Sequence, residues 1–344
     1  MPEKGRVYEA KVTTPTNATP PTNATLRTDN MQPFGQSLRA KPAIISTLRE
    51  LFSDRLHENA SLAGYTSARI GGPADALIFV RSADELANTA GRLWEMYLPF
   101  IILGGGSNLL VGDKGVRGVV IINRARLVRF DTQSERPSVR AESGATLNDI
   151  AQRAARLGLS GMEWAATVPG SLGGAVYGNA GAFDGDIAGN LISAELLHRQ
   201  RGRQVWPVEK LGYTYRSSLL KRERQPVIIL AATLKLEKGE PRPIQAKMAQ
   251  LSARRRSTQP PGASMGSMFK NPPGDFAGRL IEAAGLKGKR IGNAEISRIH
   301  ANFFINHGQT SAKDVKALID LARKTVSDKF GVLLELEIEL IGEW

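Results

Sequence analysis

The sequence predicts an α+β protein in which strands and helices intermingle along the chain. Three observations carry this prediction. Apolar, strand-like runs recur at residues 99–103, 118–122, 192–197, 205–208 and 227–236. Amphipathic stretches opened by capping Ser or Thr residues lie among them, at Ser82, Thr146 and Ser311. From residue 241 onward helix alternates with strand, as in a small separate domain. With 344 residues there is room for a large core divided among two or three domains.

Residues 1–42 are rich in Thr, Pro and Asn and repeat Pro15-Thr-Asn-Ala-Thr19 as Pro21-Thr-Asn-Ala-Thr25, which predicts a disordered tail. Asn17 and Asn23 match the glycosylation sequon, but no secretion signal accompanies them and the matches read as accidental. Order is expected from Ala43, where Leu48, Leu51, Phe52 and Leu56 have helical spacing. Ser82 and Glu85 make a capping box ahead of Leu86, Leu93 and Trp94. Residues 99–103 then form a strand that ends in glycines, and residues 109–111 and 118–122 continue as strand. Thr146 with Asp149 caps a helix striped by Leu147, Ile150, Ala154 and Leu157 and stopped at Gly158. The strands at 192–197, 205–208 and 227–236 follow. In the last part, Ser311 and Asp314 cap a helix lined by Val315, Leu318, Ile319, Ala322 and Val326 and ended by Gly331. The final strand alternates Leu334, Leu336, Ile338 and Leu340 with Glu335, Glu337 and Glu339, so one face is core and the other carries three carboxylates. These patterns divide the ordered chain at 43–126, 127–240 and 241–344.

Composition narrows function by exclusion. Cysteine is absent, which removes disulfides, iron-sulfur clusters, thiolate zinc sites and cysteine nucleophiles, and fits a reducing cytoplasm. His57, His198, His300 and His307 form no spaced ligand pair with one another or with a carboxylate cluster, so no metal site is expected. A net charge of +13 points to an anionic partner without choosing among nucleic acid, membrane surface and phosphorylated small molecules. The densest basic cluster, Arg254-Arg255-Arg256, follows the pattern Ile244, Met248, Leu251 and has no interleaved aromatics to stack on bases. It reads equally as a solvated helix end or a phosphate contact. No apolar run reaches membrane-spanning length, and the N-terminus lacks a signal-peptide core. A soluble, cytoplasmic protein is expected.

The strand at residues 99–103 runs into Gly104-Gly105-Gly106-Ser107-Asn108. Consecutive glycines admit positive φ and close backbone approach, so their amides can converge on a phosphate while Ser107 and Asn108 add side-chain donors. The common dinucleotide fingerprint continues into a helix. Here strand follows, and the loop cannot offer a helix N-terminus. Alone, it is as consistent with a turn between buried strands as with a ligand cradle. A second small-residue stretch spans residues 166–182, and a third is Arg69-Ile70-Gly71-Gly72-Pro73. Three such surfaces in one half of the chain favour a long phosphate-containing cofactor.

Several motifs occur in order: Arg69-Ile-Gly-Gly-Pro-Ala-Asp75, Ile102-Leu-Gly-Gly-Gly-Ser-Asn108, Val168-Pro-Gly-Ser-Leu-Gly-Gly-Ala175, Asn179-Ala-Gly-Ala182, Tyr215-Arg216, Gly266-Ser-Met-Phe-Lys-Asn-Pro272 and Leu334-Glu-Leu-Glu-Ile338. Over residues 61–342 the chain thereby resembles the UDP-N-acetylenolpyruvoylglucosamine reductases, flavoenzymes of peptidoglycan precursor synthesis. The resemblance implies a two-subdomain FAD-binding domain of the vanillyl-alcohol-oxidase type, followed by a small α/β substrate-binding domain. It implies cofactor contacts from Arg69, Ile70, Gly71, Gly104, Gly105, Gly106, Ser107, Asn108, Thr167, Gly170, Ser171, Gly173 and Gly174. It also implies NADPH as the hydride-donating cosubstrate, and a UDP-sugar substrate, UDP-N-acetylglucosamine enolpyruvate, that takes the place of NADPH and is reduced to UDP-N-acetylmuramate. It implies neither nucleic acid nor membrane as a partner, and no obligate protein partner. The glycine motifs alone also fit an FAD oxidase of an alcohol or hydroxy acid, disfavoured by the lack of a histidine in them to tether a flavin. A basic nucleotide-binding module is the non-enzymatic alternative.

By the same resemblance Ser267 matches the proton donor, Arg216 and Glu337 the pair that stabilises the intermediate, and Tyr215, Lys270 and Asn271 substrate contacts. A serine hydroxyl is a weak acid, yet one positioned against a developing carbanion can supply general-acid catalysis of roughly 10²- to 10⁴-fold. An arginine fork suits a substrate carboxylate. Glu335 and Glu339 share the face of Glu337, so a two-residue slip would keep the same side. Residues 272–280 are few, as in the subtype without a substrate-covering insertion. Gln259-Pro260, Lys270 and His300 are therefore candidates for the uridine contacts, with His300 left unassigned because it reads equally as a satisfied core histidine.

Overall fold

The computed structural model describes Leu38 and residues 41–344, so the expected tail lies almost wholly outside the described residues. Helix α1 (Pro42–Phe52) opens on a proline, whose missing N–H costs nothing there, and buries Ile45, Leu48 and Phe52. The strands β1 (Leu56–Ser61), β2 (Pro73–Val80), β3 (Phe100–Leu103), β4 (Leu109–Val111) and β5 (Val116–Asn123) follow. A sheet with the order β1-β2-β5-β3 results, in which β1 runs antiparallel to β2 while β5 runs parallel to both neighbours. Its central strands are buried on both faces, which is why they read as continuous apolar runs. Ile78, Val80, Val119 and Ile121 pack with α1 and α2 (Ala83–Glu95), while Leu77, Val120 and Ile122 face the other way toward Leu62 and Val111. Ser82 Oγ accepts from the Glu85 N–H at 3.1 Å, but the Glu85 carboxylate accepts from the Arg81 N–H at 2.7 Å. The expected capping box thus closes one residue further back.

The second sheet is antiparallel and comprises β6 (Val128–Asp131), β7 (Ser138–Glu142), β8 (Leu191–His198), β9 (Gly202–Pro207) and β10 (Val227–Lys235), in the order β9-β8-β10-β7-β6. Helix α3 (Leu147–Arg156) is capped as expected, Thr146 Oγ1 accepting from the Asp149 N–H at 3.2 Å. Within the small-residue stretch lies a helix that the sequence does not announce, α4 (Leu172–Gly178). Its glycines disfavour helix, but burial of Leu172, Ala175 and Val176 overrides them, and left-handed Asn179 ends it. Helix α5 (Pro241–Thr258) buries Ile244 and Met248 in the core that this sheet builds with α3 and α4.

A third core gathers α6 (Ala277–Ala283), the small antiparallel sheet β11 (Arg290–Ile291), β12 (Ala294–Ile296) and β13 (Phe304–Asn306), and α7 (Ala312–Phe330). Helix α7 has the full capping box, buries the five expected residues and stops at Gly331 with φ +68°. The expected strand over residues 334–340 is broken: only β14 (Glu339–Ile341) is regular. Leu334 and Ile338 are buried as the alternation requires, but the backbone changes partner. The Lys270 N–H donates to the Glu335 carbonyl at 2.9 Å and the Glu337 N–H to Met268 at 3.0 Å, after which β14 pairs in parallel with β4. The chain bends at Glu337 where one partner gives way to the other. The glycine loop 104–108 therefore joins strands of two different sheets, β3 in the first and β4 beside β14.

Candidate active site

A cavity of about 640 Å³ opens between these layers and is lined by residues 104–108, by Gly170, Ser171, Gly173 and Gly174, and by Arg216, Ser267 and Glu337. Its volume is that of a ligand pocket. The two glycine loops touch each other, since a Cβ on Gly105 would lie 2.9 Å from the Cα of Gly170. Gly106 has φ +58° and sits where a Cβ would meet the Tyr65 carbonyl at 2.1 Å, so no other residue fits. Small side chains here serve close approach of backbone to backbone, and they leave one polar wall with hydroxyls from Ser107 and Ser171.

Ser267 follows Gly266, whose φ of +77° turns the chain. Its loop is pinned by Asn302, which is buried: Asn302 accepts from the Met268 N–H at 2.7 Å through its carbonyl and from the Phe269 N–H at 2.9 Å through its side chain. The Asn302 amide also donates to the Phe269 carbonyl at 2.8 Å. Arg216 sits in the turn closed by mutual backbone bonds between Thr214 and Ser217, itself at φ +55°. A non-glycine residue held there costs of order 1–3 kcal/mol and persists only when its surroundings fix it. Those surroundings are the Tyr215 ring, 5.3 Å from the guanidinium, and the Asn179 amide, which donates to the Thr214 carbonyl at 3.2 Å.

The three carboxylates of the last segment separate cleanly. Glu335 is 75% exposed and pairs with Lys270, Glu339 is 48% exposed and pairs with Lys221, and Glu337 is 18% exposed and lies 2.8 Å from Arg216 Nε. This last contact is an ion pair without hydrogen-bond alignment, because the buried Nε–H points to no acceptor. Burial pushes the Glu337 carboxyl above its ordinary range, with Arg216 pulling against it. Only the middle glutamate lines the cavity.

Other expected residues lie elsewhere. Ile70 is buried in the third core, Arg69 is exposed, Gly71 would bring a Cβ within 3.0 Å of Val111, and none of the three lines the cavity. Thr167 is outside the lining, although its buried hydroxyl has no hydrogen-bond partner. Tyr215 and Lys270 stand beside the lining residues, and Asn271 caps α6 by accepting from the Ala277 N–H at 3.1 Å. Gln259 lines the cavity. His300 packs on Phe303 at 5.0 Å, accepts from the Asn302 N–H at 3.2 Å, and is pushed toward its neutral form by burial.

Three comparisons identify the relatives. Residues 74–206 match the FAD binding domain, and residues 258–341 match the C-terminal domain of UDP-N-acetylenolpyruvoylglucosamine reductase. The reductase of Chloroflexus aggregans is 44% identical over 297 residues, which cover 86% of this chain and 100% of the relative. This chain belongs to the UDP-N-acetylenolpyruvoylglucosamine reductase family. The Bacillus subtilis reductase is 39% identical over 87% of this chain and 98% of its own. A solved reductase from Thermus caldophilus superposes with a TM-score of 0.70 at 38% identity, covering 82% of this chain and 98% of that one.

As a member of this reductase family the chain carries an FAD-binding domain, and the cavity suits the cofactor. Residues 104–108 and 170–174 contribute glycine backbone and hydroxyl or amide side chains, with no carboxylate to repel a pyrophosphate. Sequence reasoning missed Asn302 and Lys221, and left Arg255, within its basic cluster, open between a solvated helix end and a phosphate contact. Arg255 lines the cavity, makes no ion pair among the described residues, and has its pKa lowered by burial. It is not a solvated helix end. The spacing Ile244, Met248, Leu251, Arg255 continues one helical stripe, and that was the signal available.

Proposed function

We propose that this protein reduces UDP-N-acetylglucosamine enolpyruvate to UDP-N-acetylmuramate with NADPH, in the cytoplasm, as a step of peptidoglycan precursor synthesis. The observation that carries the proposal is that Arg216, Ser267 and Glu337, from three separate segments, line one cavity with the two glycine loops. FAD, when bound, supplies the hydride carrier between NADPH and the terminal carbon of the enol ether.

The remaining chemistry falls to side chains. Addition of hydride leaves negative charge on the neighbouring carbon and its conjugated carboxylate. Arg216 holds that carboxylate, and its planar cation favours the charge-bearing form. Burial pushes the Glu337 carboxyl toward its protonated form, in which it donates a hydrogen bond to the developing enolate that an ionised carboxylate would repel. Ser267 delivers the proton to carbon, which completes addition of H⁻ and H⁺ across the double bond. Residues 104–108 and 170–174 hold the cofactor, with Tyr215, Lys270 and Gln259 toward the substrate. The cofactor contacts expected of Ile70, Gly71 and Thr167 are then indirect, through the walls they support, and exposed Arg69 is given none. We assign the subdomains to 43–126 and 127–258 and the substrate domain to 259–344, moving the last boundary because α5 packs in the second core.

Anaerobic stopped-flow spectroscopy of the FAD-loaded protein tests this. NADPH should bleach the flavin band, and the enolpyruvyl nucleotide should restore it with formation of UDP-N-acetylmuramate. Failure to take up FAD, or reoxidation by oxygen but not by the nucleotide, overturns the proposal.

A further inference from the structure

Asn108, expected only to meet the cofactor, is bonded to the backbone on both sides of the Glu337–Glu339 turn. Its side-chain amide donates to the Glu337 carbonyl at 3.1 Å, and its own carbonyl accepts from the Glu339 N–H at 2.9 Å. Glu337 in turn donates its N–H to the carbonyl of Met268, the residue after Ser267, at 3.0 Å. Glu337 is where the chain leaves the 268–270 segment and joins β4. At such a change of partner the ladder leaves a carbonyl unpaired, and here a side chain fills the gap.

We propose that Asn108 is a positioning residue for Glu337. The two peptide planes that flank a residue set its Cα–Cβ direction. Met268 fixes the plane before Glu337 and Asn108 the plane after it, so the carboxyl is aimed into the cavity by the proton-donor loop and the cofactor loop together. Asn108 itself lines the cavity, with Oδ1 and one Nδ2 proton free of partners among the described residues. Whatever those atoms contact in the loaded enzyme also steadies the bond to Glu337. This inference rests on Glu337 acting in reduction of the enolpyruvyl group.

The test uses Asn108→Ala, which removes the donor, and Asn108→Asp, which removes it and adds a negative charge. Both half-reactions are followed in the FAD-loaded enzyme, with amide hydrogen exchange of residues 335–341. Reoxidation by the enolpyruvyl nucleotide should fall about 10²-fold, the cost of roughly 1 Å of misplacement, and by at least about tenfold more than reduction by NADPH. Exchange at 337–341 should quicken, and the loss of reoxidation at high pH should move to higher pH in Asn108→Asp than in Asn108→Ala. Equal slowing of both half-reactions with wild-type exchange overturns the proposal. A variant that loses FAD is compared with FAD-free wild type, and unchanged protection of 337–341 overturns it there as well. Should Glu337→Gln leave reoxidation intact, the role given to Glu337 fails, while exchange still reports whether Asn108 holds it.

Discussion

Glu337 and Arg216 lie 2.8 Å apart, yet burial outweighs the arginine and the carboxyl titrates above its ordinary range. Glu335, on the same face, reaches Lys270 in water instead. This difference separates two residues that the alternation alone makes equivalent. Glu337→Gln should slow flavin reoxidation by the enolpyruvyl nucleotide by about 10²-fold, the scale of a lost proton-bearing group. Glu335→Gln should stay within about fivefold, because an exposed pair contributes at most about 1 kcal/mol. Single-turnover rates of the two variants decide between them, and a larger defect at Glu335 would reverse the assignment.

The raised pKa of Glu337 has a pH signature. Its native value lies above the unfolded one, so the stability it contributes is complete below the ordinary carboxylate range and is lost as pH rises through the raised value. Reoxidation should decline across the same window, as the donor becomes an anion beside the substrate carboxylate. In Glu337→Gln this decline should vanish. Rate-against-pH profiles of the oxidative half-reaction, paired with unfolding curves over the same pH range, read both effects.

What the sequence made legible was local. Ser311, Asp314 and Gly331 fix α7 through bonds that span only a few residues, and the structure has each of them in place. The glycine run 104–106 was recognisable as a run, and the structure requires it: Gly106 through its φ of +58°, Gly104 and Gly105 through contacts that a Cβ would obstruct. The break at Glu337 was not legible, since the chain there exchanges Phe269, the partner of Leu336, for Leu109, the partner of Glu339, and both lie far away in sequence. Helix α4 was hidden for the same reason, its stability coming from tertiary burial rather than from its glycines. Arg255 was visible as a charge but not as a lining residue, until the phase of α5 placed it on the stripe of Met248.

Ser267 sits on a loop whose position depends on Asn302 and not on its own hydroxyl. Ser267→Ala should therefore fold, hold FAD and be reduced by NADPH at close to the wild-type rate. Reoxidation by the enolpyruvyl nucleotide should fall by roughly 10²- to 10⁴-fold, the range of general-acid catalysis. Rapid-mixing traces of the two half-reactions measure the split, and equal losses in both would show a defect in folding or cofactor binding instead.

Asp113, between β4 and β5, accepts from the N–H groups of Ala312 at 2.7 Å and Lys313 at 3.0 Å. These are first-turn donors of α7, so a carboxylate from the first layer completes the cap of a helix in the last core. A cap of this kind contributes about 1–2 kcal/mol with the helix dipole included. Asp113→Ala should lose that much in urea unfolding, and Asp113→Asn, which keeps an acceptor, should lose less. Equal stability of both variants and wild type would mean that the Ser311 and Asp314 box suffices.

Arg255 offers the cavity a partly desolvated cation without a protein counter-charge among the described residues. Such a group is costly to bury unless a ligand supplies the anion. Both NADPH and the enolpyruvyl nucleotide carry phosphates, and both should depend on it. A hydrogen bond to a charged partner contributes about 1.5–3 kcal/mol, so Arg255→Gln should weaken binding of each nucleotide roughly 10- to 100-fold. Arg255→Lys should recover part of the loss, because a point charge replaces the fork. Titration of the flavin spectrum with NADP⁺ and with the enolpyruvyl nucleotide measures both affinities. Should only FAD retention change, the arginine serves the cofactor and not the ligands that exchange above it.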